Sequence, residues 1–256
     1  MRWMIAACML WVAVAPLQAR AAQPCTLRVG WEPYAPFTFA GEDGEATGAD
    51  IDLIKAIADE IGCAVETVEL PWARIVKEVE QGTLDVSTST SRTPERDQWA
   101  LFSQPYRETE VAIYVRRGEV PRFALRELAD VPAQRLRLGV IVDYYYGKAL
   151  ADAEADPAFA AWVDGAPDYA TNIRKLVSDR IDGFLVEDVA VMQAEVERMG
   201  ESERVERYPL RIPGEKLRFM FSRKTVDPAL VAKVDAVVAQ MRADGRLDAI
   251  RAKYLR

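Results

Sequence analysis

Apolar residues recur along this chain in two rhythms, one extended and one helical. TLRVGW (26–31) predicts a first strand. GADIDLIKAIADEIG (48–62) carries Ile51, Ile54, Ala58 and Ile61 on one face, with Leu53 and Ile57 beside them. That spacing predicts an amphipathic helix, ended by Gly62. AVETVEL (64–70) predicts a second strand. Pro71 and Trp72 open a second helix that runs through Val79 and stops at Gly82, and LDVSTS (84–89) predicts a third strand. Strand–helix–strand–helix–strand implies right-handed crossovers and a parallel sheet.

Thr93 reads as the cap of a short helix with Pro94 at its first position. VAIYVRRG (111–118) predicts a strand, and RLGVIVD (137–143) begins a second set of α/β elements. Helices near 147–153 and 171–178 follow, then strand IDGFLV (181–186) and helix DVAVMQAEVERMG (188–200). KLRFMFSRK (216–224) predicts a late strand. Asp227 and Pro228 start a long helix buried through Leu230, Val231, Val234, Val237, Val238 and Met241, and Leu247, Ile250 and Tyr254 face inward after it. The expected organisation is two α/β blocks and a tail.

Ligands of open α/β sheets sit beyond the carboxyl ends of the strands. WEPYAPF (31–37), PWAR (71–74) and STSTSRTPER (87–96) all lie at such an end. One end of the first sheet therefore gathers Tyr34, Trp72, a hydroxyl run and Arg96. A guanidinium matches a carboxylate bidentately, and free amides at a helix start add donors for an anion. Ser87 and Thr90 also fit a solvated edge strand closed by a hydroxyl-bearing turn. Tyr34 and Trp72 stand among prolines, where loops are expected.

Half of the 256 residues are hydrophobic, enough for one large domain or two lobes. Arg2 precedes an apolar run from Trp3 to Leu17, and Ala19 and Ala21 follow at small-residue positions. Residues 1–21 read as a cleaved secretory signal, with an uncleaved anchor as the rival. Cleavage removes Arg2 and Arg20 and moves the formal charge from −7 to about −9. An acidic exported chain argues against nucleic-acid or anionic-membrane partners. Cys8 leaves with the signal. Cys25 and Cys63 each precede a strand; if those strands are parallel neighbours, the cysteines fall at one sheet end and can form a disulfide, and otherwise they are inert thiols. The chain has no histidine and no thiolate cluster, so no metal and no cofactor is expected.

GADIDLIKAIADEIG, PWARIVKEVEQGTLDVSTSTSRTPER, FSQPY, RIDGFLVED and ADGRLDAIRAKY occur in the order seen in the family-3 bacterial extracellular solute-binding proteins. The chain resembles this family, the periplasmic amino-acid receptors of ABC importers, over its whole mature length. The resemblance implies a two-lobed α/β periplasmic-binding-protein fold of type II, each lobe a mostly parallel sheet flanked by helices. Lobe 1 would comprise 22–108 and 213–256, and lobe 2 109–212, with crossings near 107–110 and 209–214. It also implies a monomer that captures a small polar solute, an amino acid or relative, for an ABC permease.

The site the resemblance implies maps residue by residue. Arg96 would grip the ligand's α-carboxylate, with Ser89 and Ser91 offering backbone and hydroxyl groups. Tyr34 would cover the ligand, Trp72 would pack on it, and Glu187, with Asp188 one step away, would bind the α-ammonium. Glu187 could instead stabilise the dipole of the following helix. Glu32 could meet a basic ligand side chain. Many members carry Gly-Thr after the RLGV strand; here Asp143, Tyr144, Tyr145 and Tyr146 stand in its place, and an acid there would repel a carboxylate unless Asp143 faces away or meets a cation. The three tyrosines fit either an aromatic wall or packing within lobe 2. Cyclohexadienyl dehydratases resemble these receptors but carry a catalytic acid, a part Glu187 could play. The lack of histidine removes the commonest general base, so the chain reads as a receptor and not an enzyme. A third class, a solute sensor, would need a separate signalling partner.

Overall fold

The computed structural model describes residues 25–255. The secretory-signal reading of residues 1–21 and Cys8 lie outside them. The first sheet opens with β1 (Cys25–Trp31), followed by a small hairpin of β2 (Phe39–Ala40) and β3 (Ala46–Thr47). Helix α1 (Ala49–Ile61), β4 (Cys63–Glu69), α2 (Trp72–Gln81), β5 (Val86–Ser91), β6 (Ala100–Phe102) and β7 (Arg107–Glu108) follow. The second sheet takes β8 (Ala112–Arg116), β9 (Leu138–Ile141), β10 (Val163–Ala166), β11 (Gly183–Val186) and β12 (Val205–Arg207). Its helices are α3 (Lys148–Glu154), α4 (Pro157–Ala160), α5 (Tyr169–Val177) and α6 (Val189–Met199). The chain then returns to the first sheet through β13 (Lys216–Ser222), α7 (Pro228–Ala243) and α8 (Arg246–Ala252).

The order β4-β1-β5-β13-β6, with β7 also on β13, builds the first sheet, and β10-β9-β11-β8-β12 builds the second. Strand β13 is antiparallel to β5, β6 and β7, and β8 is antiparallel to β11 and β12. Each sheet is therefore parallel except for one reversed strand, and the fold is a two-lobed α/β arrangement. Left-handed Gly62 and Gly82 end α1 and α2 where the sequence placed the stops. The hairpin and the short strands β6, β7, β10 and β12 are too brief to carry a distinct apolar period.

Cys25 and Cys63 are register partners of β1 and β4 and form a disulfide. Helices α1 and α7 bury Ile54, Ile57, Val234 and Val238 against Val29 and Phe219 of the first sheet. Another cluster joins Tyr34, Phe37 and Ala49 to Ile141, Tyr169 and Phe184 of the second. That cluster joins apolar side chains of the two sheets' neighbourhoods.

Candidate functional site

Strand β5 explains the hydroxyl run. It lies between β1 and β13, so Ser87 and Thr90 are fully buried and the solvated-edge alternative does not hold. Their hydroxyls bond each other at 2.9 Å, and Thr90 Oγ1 donates to Thr88 O at 2.9 Å. Against β13, Ser87 pairs with Met220 and Thr90 with Arg218, so Thr88 and Ser89 together oppose Phe219. This is a β-bulge, a device that re-aims side chains beside functional sites. Ser89 takes φ 54°, a left-handed conformation uncommon for a residue with a side chain.

Arg96 follows on a short 3-10 turn, where Thr93 Oγ1 accepts its amide at 3.3 Å. The residue is 8% exposed. Nη1 donates to Ser91 O at 3.0 Å and Nη2 to Asp143 O at 3.1 Å, and the guanidinium carbon lies 5.4 Å from the Trp72 ring centre. Burial lowers its pKa, while Glu187 favours the charge. Gly30 supplies the adjoining wall. A Cβ there would meet Leu84 Cδ1 at 2.5 Å and Ile75 Cγ2 at 2.9 Å, so a larger residue would have to displace those buried side chains.

The second lobe contributes Glu187, just beyond β11 and 7% exposed. Its amide donates to the Tyr169 hydroxyl at 3.0 Å, and its Oε2 accepts from the Tyr34 hydroxyl at 3.2 Å. Burial pushes its carboxyl up to about 8, partly opposed by Arg107, Tyr34 and Arg96. The helix-start duty belongs to Asp188, whose side chain caps α6 at Ala190 N. Glu187 is left free to face the cavity.

Glu32 bridges elements at the cleft. Its Oε2 accepts from Trp72 N at 3.0 Å and its Oε1 from the Tyr144 hydroxyl. Burial raises its pKa to about 7, against the pull of those two bonds. Tyr144 also packs edge-on to Trp72 and Tyr169 at 6.0 Å.

One cavity is lined by Glu32, Tyr34, Trp72, Ser89, Ser91, Arg96, Tyr144 and Glu187. Asp143 is placed differently. It is exposed at φ 65° and outside the cavity lining, and its backbone carbonyl reaches Arg96 and Trp72 Nε1 (2.9 Å). Tyr145 lines the cavity, whereas Tyr146 is buried and accepts Ile141 N through its hydroxyl. Sequence reasoning missed Thr88, Ile75 and Gly30 in the lining, and a buried cluster of Asp50, Tyr106 and Arg107 behind it. The hydroxyl run could have flagged Thr88; no local pattern marks the cluster.

The sequence model of the bacterial extracellular solute-binding proteins, family 3, matches residues 27–256. The chain belongs to that family. A probable amino-acid ABC transporter-binding protein of Haemophilus influenzae is 26% identical over 231 residues, covering 90% of this chain and 84% of that one. Cyclohexadienyl dehydratase of Pseudomonas aeruginosa is 29% identical over 134 residues, 49% of this chain and 50% of the enzyme. The solved structure of an ancestral arginine-binding protein bound to arginine superposes with a TM-score of 0.76 at 27% identity, covering 90% of this chain and 98% of that one. Among the described residues of this family-3 protein, no helix is long and apolar enough to cross a membrane.

Proposed function

We propose that this family-3 solute-binding protein captures a free α-amino acid between its lobes and presents it to an ABC permease outside the inner membrane. Lobe 1 would be 22–108 with 213–256, and lobe 2 109–212. The observation that carries the reading is that Arg96 and Glu187 face one cavity from the two sheets. The carboxylate meets Arg96 beside Ser91, whereas Ser89, expected to offer its amide and hydroxyl, lines the cavity with its amide donated to Tyr106 and its hydroxyl to Asp50. The ammonium meets Glu187, and Tyr34, Trp72 and Tyr144 enclose the side chain. Glu32 stands where a cationic side chain would end. Closure removes water from these charges and strengthens both contacts. Micromolar affinity requires about 8 kcal/mol, which two charge contacts and aromatic burial can supply together. Native mass spectrometry of the exported protein, followed by calorimetry with L-arginine, L-glutamine, L-histidine and L-cystine, tests the reading. One bound amino acid per chain supports it, and no binding to any amino acid overturns it.

A second reading draws on the same acid. A buried carboxyl that holds its proton near neutral pH is a competent general acid. With prephenate, Glu187 would protonate the departing ring hydroxyl as the ring carboxylate leaves as carbon dioxide, giving water and an aromatic keto acid. Conversion of prephenate or arogenate, lost in Glu187→Gln, would establish it.

A further inference from the structure

Behind the cavity, one guanidinium touches both lobes and the segment that joins them. Arg107 lies on β7, and 1% of its side chain is exposed. Nη1 donates to Asp188 Oδ2 at 2.6 Å and Nη2 to Ser89 Oγ at 2.9 Å. Nε lies 3.5 Å from Asp50 Oδ2 without completing a hydrogen bond. The guanidinium carbon sits 3.6 Å from the centre of the Phe37 ring. Asp50, in the first turn of α1, also accepts from the Tyr106 hydroxyl at 2.6 Å and from the Ser89 hydroxyl. Tyr106 in turn accepts Ser89 N at 2.7 Å. Among the described residues, no other cation is paired with carboxylates of both lobes.

Burial opposes the Arg107 charge, but Asp50 and Asp188 outweigh it and raise its pKa. The partners are arranged around two site residues. Ser89 is held at its positive φ by Tyr106, Asp50 and Arg107 together, and Asp188 is the chain neighbour of Glu187. We propose that Arg107 is a positioning residue for the amino-acid site: it locks Ser89 of one lobe and the Glu187–Asp188 pair of the other into a single register. This rests on the reading of Glu187 as the ammonium acceptor. A plain cross-link would support stability alone. A positioning residue also governs how Glu187 titrates. The groups acting on that carboxyl are Arg107, Asp188, Tyr34 and Arg96, with Tyr169 holding its amide. Removing the guanidinium leaves burial and Asp188 less opposed, so ammonium binding moves to higher pH. Removing the Asp188 charge moves it to lower pH.

Calorimetric titration with L-arginine from pH 6 to 9 tests this in Arg107→Met, Arg107→Lys and Asp188→Asn, beside wild type. Asparagine retains the α6 cap, and Asp50 remains as the carboxylate partner of Arg107. Arg107→Met and Asp188→Asn should each weaken binding about tenfold or more, with their pH profiles displaced in opposite directions. Arg107→Lys should keep the wild-type profile and recover part of the affinity. If Arg107→Met does not fold, the other two variants decide. In parallel, electron-spin distance measurement between one label on each lobe should give a broader distribution in Asp188→Asn than in wild type. Folded variants with wild-type affinity and pH profile overturn the proposal. If wild type binds no amino acid, the ammonium reading fails separately; an unchanged distance distribution then overturns the role of Arg107, and a broadened one supports its registering of the lobes.

Discussion

The Tyr34 hydroxyl donates to Glu187 Oε2 at 3.2 Å, joining residues 153 positions apart across the cleft. Tyr34 comes from the loop after β1 and Glu187 from the end of β11, so the bond ties one lobe to the other at the proposed ammonium site. Glu187 is held there while buried, and its carboxyl titrates near 8. An ammonium ligand requires the ionised form. Below about pH 8 binding must therefore release a proton. Affinity should rise from pH 6 to 8 and level off above. Calorimetry in buffers of different ionisation enthalpy should detect close to one proton released near pH 6.5; none would mean that Glu187 does not meet the ammonium.

The same carboxyl sets a trend in stability. Its folded pKa stands above the ordinary value of 4.5, so the native state holds this proton more tightly than the unfolded chain. The resulting destabilisation is absent below pH 4.5, grows as pH rises, and is complete above about 8. Glu187→Gln removes it. The melting temperature of ligand-free Glu187→Gln should gain on wild type between pH 5 and pH 8. A constant difference across that window would count against a buried, proton-holding Glu187.

Glu32 titrates near 7 beside Trp72 and Tyr144. If it ends a cationic subsite, Glu32→Gln should weaken L-arginine binding more than L-glutamine binding, by about tenfold. Equal effects on both would place Glu32 outside ligand contact, as a brace for Trp72 and Tyr144.

The Cys25–Cys63 bridge spans 38 positions. On the loop-entropy model it contributes roughly 3–4 kcal/mol. The Cys25→Ser, Cys63→Ser double variant should lose about that much in urea unfolding with its ligand affinity retained. A loss well under 1 kcal/mol would show that the unfolded chain is already restricted in this segment.

Much of this was legible because it is local. The stripe of Ile51, Ile54 and Ala58, the glycines after α1 and α2, and the hydroxyl run before Arg96 each mark an element or a strand end within a few residues. The parallel pairing of β1 and β4 followed from that order and brought the cysteines together. In sequence Asp143 is conspicuous for its carboxylate, but its left-handed backbone turns the carbonyl to Arg96 instead. Ser87 and Thr90 were open to an edge-strand reading because the partner that buries them, β13, arrives about 130 residues later. The Asp50–Arg107–Asp188 cluster was invisible for the same reason. Its members lie on α1, β7 and the start of α6, and only the return of the chain between sheets makes them neighbours.

In the proposed site, Arg96 anchors the ligand's carboxylate opposite Glu187. Among the described residues, the Arg96 side chain hydrogen-bonds only backbone carbonyls, those of Ser91 and Asp143, so Arg96→Ala should leave the fold intact. Calorimetry of wild type and Arg96→Ala with the amino acid that binds best is the most direct measurement. Arg96→Ala should lose roughly 2–5 kcal/mol in binding free energy with an unchanged circular-dichroism spectrum. A folded Arg96→Ala protein that binds as tightly as wild type would contradict this anchoring.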